Sequence, residues 1–137
     1  MAAIAIDHVN VAVPSARLPE LLAFYTGIVG LREGRRPPLP FPGHFLYTEA
    51  GDVAVLHLAT YQEDGAALAQ PTGRFNHVCF RMRGLAQTRA RLSQSPYAFR
   101  EQSRPGLPMV QIFVTDPAGI TVELTFDAAA EGLDLPA

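Results

Sequence analysis

Three histidines and one glutamate, His8, His57, His77 and Glu123, have side chains that can hold a metal ion, and their spacing is regular. His8 lies in Ile4-Ala5-Ile6-Asp7-His8-Val9-Asn10-Val11-Ala12-Val13. His77 lies 69 residues later, in the matching stretch Phe75-Asn76-His77-Val78-Cys79-Phe80-Arg81-Met82. A second pair matches at an offset of 66: Phe45 to Leu58 lies without a gap on Gln111 to Leu124, which sets His57 against Glu123. A two-fold repeat brings related positions close to its axis, so four metal-capable groups at related positions point to one site. Three imidazoles and a carboxylate suit one divalent transition metal (Zn, Ni, Fe, Mn or Co) rather than Ca²⁺ or Mg²⁺. Two histidines with one carboxylate is also the facial arrangement of non-haem iron oxygenases.

Each residue also has a plainer reading. A histidine in an apolar strand is more often a hydrogen-bonded packing residue than a ligand. Glu123 is harder to explain by packing: Val122, Leu124 and Phe126 assign one strand face to the core, so Glu123 points the other way with Thr121 and Thr125. An ionised carboxylate within a sheet is costly unless it is paired or coordinated.

The elements that must position these groups follow from periodicity. Residues 4–13 read as a strand ended by Pro14, with Ile4, Ile6, His8, Asn10 and Ala12 on one face. A helix opens near Ser15, with Pro19 in its first turn, an apolar stripe of Leu18, Leu21, Leu22 and Tyr25, and Gly27 as its stop. A short strand over 30–36 precedes a proline-stiffened loop, 36–43, and then a hairpin, 45–49 with 53–60. The polar, Ala/Gly-rich stretch 61–74 is the natural linker. Beyond it the pattern restarts: strand 75–82, helix 85–93, a strand near 97–100, a turn cluster containing Pro105-Gly106, and a hairpin of 109–115 with 120–126. The tail from 127 is expected to be a short helix or frayed. The fold class is therefore α+β: two βαβββ modules, 4–60 and 75–126, in a single domain, with helices on one sheet face and the other face left for a cleft.

Composition narrows the function. Hydrophobic content of 48% excludes intrinsic disorder, and a net charge of −2 with no basic stripe gives no footprint for nucleic acid. No apolar run is long enough to span a bilayer, and the first residues lack the pattern of a signal peptide. The lone Cys79 cannot form an internal disulfide, in keeping with a reducing compartment. A cytoplasmic protein acting on a small molecule, with no membrane or nucleic-acid partner, is the expectation.

From Ile4 to Phe126 the chain resembles the vicinal oxygen chelate superfamily, which includes glyoxalase I, extradiol dioxygenases, methylmalonyl-CoA epimerase and the bleomycin-resistance proteins. The resemblance is carried by Asp7-His8-Val9, Phe24-Tyr25-Thr26-Gly27 leading to Gly30-Leu31, Asn76-His77-Val78, and Asp116-Pro117-Ala118-Gly119 before Val122-Glu123-Leu124. It implies metal ligation by His8, His77 and Glu123, chelation of vicinal substrate oxygens, stabilisation of an enolate or oxyanion, and a homodimer. It implies a lyase or isomerase of the glyoxalase type, with an Fe(II) extradiol-type dioxygenase and a non-catalytic antibiotic or aromatic-ligand binding protein as alternatives. His57 stands where glyoxalase I carries a fourth ligand, normally Glu, which makes His57 either a ligand or a base. Candidates for contact with substrate are His44, Phe45, Tyr47, Cys79, Arg100 and Gln111.

Overall fold

Valine and isoleucine at alternate positions and prolines at the ends produce short strands in both halves of the chain. The structure, a computed structural model, describes residues 1, 5–60, 75–104 and 107–134. It divides into two units, Met1–Gln70 and Pro71–Ala137. The expected linker 61–74 and the Pro105-Gly106 turn lie outside the described residues, as does Ile4.

The first unit comprises β1 (Val9–Ala12), a 3-10 turn (Ser15–Arg17), α1 (Leu18–Gly27), β2 (Arg32–Gly34), β3 (Gly43–Tyr47) and β4 (Leu56–Ala59). Its sheet runs β1-β4-β3-β2, with β1 parallel to β4 and the other pairs antiparallel. The strands are shorter than the apolar runs suggested. β1 starts at Val9 because pairing with β4 starts there, so His8 stands just before the strand, and Ile6 is exposed. α1 buries Leu18, Leu21, Phe24 and Tyr25, so Phe24 takes the place expected of Leu22. The helix stop is also corrected: Gly27 is its last residue, and Gly30 makes the turn. Gly30 adopts φ 81°, and beyond it the Leu31 amide folds back to donate to the Tyr25 carbonyl at 2.9 Å. Only a glycine enters that left-handed region without strain.

The second unit comprises β5 (Val78–Met82), α2 (Leu85–Ser93), β6 (Phe99–Ser103), β7 (Met109–Thr115) and β8 (Thr121–Asp127), in the sheet order β5-β8-β7-β6. Here too the first strand begins three residues later than expected, and the strand placed near 97–100 runs over 99–103. Alternation along β7 and β8 buries Val110, Ile112, Val114, Val122, Leu124 and Phe126. The buried Asp116 builds the hairpin turn: its Oδ1 accepts from the amides of Ala118 (2.9 Å) and Ile120 (2.8 Å). The tail is neither an extra helix nor frayed where it is described. Glu131 returns to the start of α2 and accepts from the amides of Gly84 (2.8 Å) and Leu85 (2.9 Å). A carboxylate there satisfies amides that have no partner within the helix and meets the positive end of its dipole.

The two units share one topology, which gives the α+β class and the paired βαβββ modules expected. Their register corrects the gapless repeat in one place. His57 faces Asn10 on β1 and Phe45 on β3, whereas Glu123 faces Cys79 on β5 and Phe113 on β7. The first and last strands keep the offsets read from sequence, but Phe113, not Gln111, occupies the place of Phe45. Phe45 and His57 are 12 residues apart and Phe113 and Glu123 are 10 apart, a difference of two, and hydrophobic alternation, having a period of two, conceals a shift of that size. Among the described residues no helix is long and apolar enough to cross a membrane.

Candidate metal-binding and substrate site

Glu123 lies at the centre of the second unit's polar groups. It is 6% exposed, at mid-strand on the face opposite Val122 and Leu124. Its Oε2 stands 3.0 Å from His77 Nε2, and its Oε1 accepts from Gln111 Nε2 at 2.5 Å. Among the described residues no arginine pairs with it, and the basic side chain beside it is the His77 imidazole. The other ring nitrogen of His77, Nδ1, is 2.8 Å from Asn76 Oδ1, which fixes the ring's orientation. Cys79 sits directly across β5–β8 from Glu123. Burial first, then the charge of Glu123 and a hydrogen bond to it, push the thiol up to about 11. At neutral pH that thiol is a protonated donor to the carboxylate rather than a nucleophile.

Beyond Phe113, on the same face, lies a cleft of about 450 Å³ lined in part by Asn76, Phe99, Arg100, Phe113 and Thr121. The Arg100 guanidinium lies 4.0 Å from the centre of the Phe113 ring and donates to Gln102 at 2.9 Å. A planar cation held over an aromatic face suits an anionic or flat ligand.

In the first unit the equivalent positions form an aromatic stack. His57 lies between His8, at 3.9 Å between ring centroids, and Phe45, at 3.6 Å. The stack crosses β1, β4 and β3 because His57 faces Phe45 directly and His8 shares the face of Asn10. Asp7 Oδ2 holds His8 Nδ1 at 2.6 Å. Burial, and next the neighbouring His8, lower the pKa of His57, while a hydrogen bond to the Ala54 backbone and the charge of Asp7 oppose the shift. His57 is therefore neutral at physiological pH, one nitrogen tied to backbone and the other carrying a lone pair. Beside it a cleft of about 380 Å³ is lined by Asp7, Arg35, Pro37, Phe45, Tyr47, Ala54 and His57.

Within the units the structure brings His8 to His57 and His77 to Glu123. Phe45 and Tyr47 line the first cleft and Arg100 the second, while Gln111 and Cys79 contact Glu123. His44 is placed elsewhere: it faces Leu58, on the opposite side of β3 from Phe45, and bonds Glu33. The strand parity that puts Phe45 on the cleft face excludes His44 from it. Sequence reasoning missed Gln102, which donates to Gln111 at 3.0 Å, and Phe113, which faces Glu123. A polar residue among strand positions was the only signal for Gln102.

The donor chemistry fits a divalent transition metal. A buried, arginine-free carboxylate with an imidazole nitrogen 3.0 Å away supplies one hard oxygen and one borderline nitrogen, at a separation on the order of that between adjacent ligands of one ion. Among the described residues no group of three His, Cys, Asp or Glu is arranged to hold a metal ion; the pairs brought together are His8 with His57 in the first unit and His77 with Glu123 in the second.

The model of the Glyoxalase/Bleomycin resistance protein/Dioxygenase superfamily matches residues 5–124. Solved structures of the same fold include lactoylglutathione lyase from Agrobacterium tumefaciens, 23% identical with a TM-score of 0.61, over 91% of this chain and 95% of that one. The fosfomycin resistance protein FosX from Mesorhizobium loti is 16% identical with a TM-score of 0.65, over 91% and 93%. TnmS3, an antibiotic binding protein from Streptomyces sp. CB03234, is 18% identical with a TM-score of 0.61, over 93% and 98%. At these identities the likeness is one of fold. No curated protein matches the sequence.

Proposed function

We propose that this chain, which belongs to the Glyoxalase/Bleomycin resistance protein/Dioxygenase superfamily, is a divalent-metal-dependent lyase or isomerase of the glyoxalase type acting on a small substrate with two neighbouring oxygens. The observation that carries the reading is the buried Glu123 carboxylate, whose ionic partner is an imidazole and not a guanidinium. An ion pair built for stability would use arginine, whose fork matches a carboxylate on two bonds. An imidazole beside a buried carboxylate is instead the donor pair that a transition metal takes. The ligand set proposed is His8, His77 and Glu123, for Zn, Ni, Fe, Mn or Co. A divalent ion held there supplies Lewis acidity to the substrate's oxygens.

The chain's own residues do the rest. His57, held neutral by burial and oriented by Ala54, accepts a proton from the carbon next to those oxygens and returns it. Phe45 and His8 clamp its ring so that the free nitrogen keeps one direction. Phe45 and Tyr47 offer apolar surface to the substrate, and Arg100 offers a positive charge to an anionic substituent. The working form proposed is a cytoplasmic homodimer with no nucleic-acid or membrane partner.

Metal analysis of purified protein, followed by assay with a hemithioacetal, tests this reading. Near-stoichiometric divalent metal, lost in His77→Ala, together with turnover of the hemithioacetal, is the expected result. Fe²⁺-dependent O₂ uptake with a catechol would replace it with the dioxygenase reading. Protein that neither retains nor takes up metal would sink both. The binder reading would then stand, supported by the aromatic wall of Phe45, Tyr47 and His57 around the first cleft.

A further inference from the structure

We propose that Arg100, Gln102 and Gln111 form a directed hydrogen-bond relay that positions Glu123, so that the carboxylate offers a metal ion Oε2 alone. The inference rests on the reading of Glu123 as a ligand and adds how it is held. Arg100 Nη1 donates to Gln102 Oε1 at 2.9 Å. Gln102 Nε2 donates to Gln111 Oε1 at 3.0 Å, and Gln111 Nε2 donates to Glu123 Oε1 at 2.5 Å. The two ends fix the sense of the chain. A guanidinium can only donate and a carboxylate can only accept, so each amide between them must receive through oxygen and give through nitrogen. Neither glutamine can flip without breaking two bonds and setting like atoms face to face.

The relay follows the sheet. Gln102 on β6 faces Gln111 on β7 directly, whereas Gln111 faces Thr125 on β8 and reaches diagonally to Glu123. The strand position that faces both Arg100 and Glu123 is Phe113, an aromatic ring that carries no polar bond, so the relay passes around it. Gln102 and Gln111 are part-buried, where bonds in series polarise one another and compete less with water. With Oε1 committed to Gln111, Oε2 is the oxygen left facing His77 Nε2. Glu123 is thereby a one-oxygen ligand of defined direction, and Gln111 is a positioning residue rather than a substrate contact.

The test is titration of metal-free protein with Co²⁺ alone, read by affinity and by the visible spectrum of the bound ion. Gln111→Met keeps the side chain's length and removes both bonds. It is expected to weaken Co²⁺ binding about 10–100-fold, as loss of a partner behind a ligand typically does. The spectrum should shift as the released carboxylate binds through both oxygens. Gln102→Met leaves the bond to Glu123 in place and should give a smaller change in the same direction, with the melting temperature of both variants followed in parallel. If Gln111→Met does not fold, Gln102→Met decides, and Co²⁺ binding equal to wild type in that variant overturns the relay. Wild-type affinity and spectrum in a folded Gln111→Met overturn the relay and leave the ligand reading intact. Co²⁺ binding that is absent from wild type, or unchanged in His77→Ala, overturns the ligand reading and the relay with it.

Discussion

The two modules repeat one backbone and differ at the residue facing their third strand. In the first, His57 is flanked by rings, His8 on one side and Phe45 on the other. In the second, Glu123 is flanked by polar groups, with His77, Gln111 and Cys79 all in contact with it. His8 and His77 occupy the same place, yet each finds a different acid. His8 uses the adjacent and exposed Asp7, whereas His77 uses a carboxylate buried across the sheet. The same register therefore yields an aromatic stack in one module and a hydrogen-bonded carboxylate centre in the other. Topology fixes which side chains meet, and the identity of one residue per module sets what the meeting can do.

The largest effect expected is on metal binding, and it separates the modules. Glu123→Gln keeps the shape and removes the charge, so binding should fall by more than the roughly 10–100-fold typical of an outer partner. His57→Gln should leave metal affinity within a few-fold while abolishing turnover, because its proposed role is to move a proton. Equal loss in both variants, measured by the same titration, would make His57 a ligand and erase the functional asymmetry.

Next in size is the reactivity of Cys79. Its thiol is raised from 9.0 to about 11, which lowers the thiolate fraction at pH 8 by about 100-fold relative to an unperturbed cysteine of that value. Alkylation by iodoacetamide should be slowed to match although the residue is exposed. Glu123→Gln should restore much of the rate, since the carboxylate's charge and its hydrogen bond both favour the protonated thiol. An unchanged rate in that variant would assign the shift to burial alone.

Much of this arrangement was legible in the sequence, and the parts that were not have physical reasons. The succession of elements along the chain and the two-module plan follow from hydrophobic alternation and from the Asp116-Pro117-Ala118-Gly119 turn. His77 beside Glu123 is one part of the convergence expected of the four groups. The pairing of Gln111 with Phe45 failed because a two-residue change in a connection preserves every inward and outward assignment. Gly27 looked like a helix stop because it follows the apolar stripe, yet the left-handed turn falls at Gly30. Glu131 on α2 was invisible because its partners lie 46 and 47 residues earlier, and no local pattern encodes so distant a cap. His44 was grouped with Phe45 by proximity in sequence, where parity places neighbours on opposite faces.

A smaller effect tests the first module. Phe45→Ala uncovers one face of His57, removing part of the burial that depresses its pKa. The imidazole value should rise toward the ordinary 6.5, followed by NMR of metal-free protein. The sign for stability is definite. The unfolded chain takes up this proton near the ordinary value and the folded chain resists until lower pH, so the ring's contribution is lost as pH falls from the first value through the second. Phe45→Ala should narrow that window. A pKa that stays put would attribute the depression to His8 and contradict the order of causes, in which burial leads.

The smallest effect concerns the ion pairs that flank each helix. In the second module Arg89 on α2 grips Glu101 on β6, with Nε to Oε2 at 2.9 Å and a second bond from Nη2. This pair ties a helix to an edge strand and lowers the carboxyl below its ordinary value, chiefly through the hydrogen bond. In the first module Arg17 and Glu20 pair at 3.2 Å across three residues of chain. Both pairs are substantially exposed, so water and salt screen them, and Glu101→Gln should cost at most about 1 kcal/mol. That stabilisation is complete above pH 4.5 and lost as pH falls through the depressed folded value. Glu101→Gln should therefore lower the neutral plateau of the melting-temperature profile slightly and leave its acid end unchanged, which flattens the limb between them. Glu20→Gln should lower that plateau less, because the pair it breaks spans three residues instead of two elements. Equal neutral plateaus in the two variants would show that bridging separate elements confers no advantage on a solvent-screened pair.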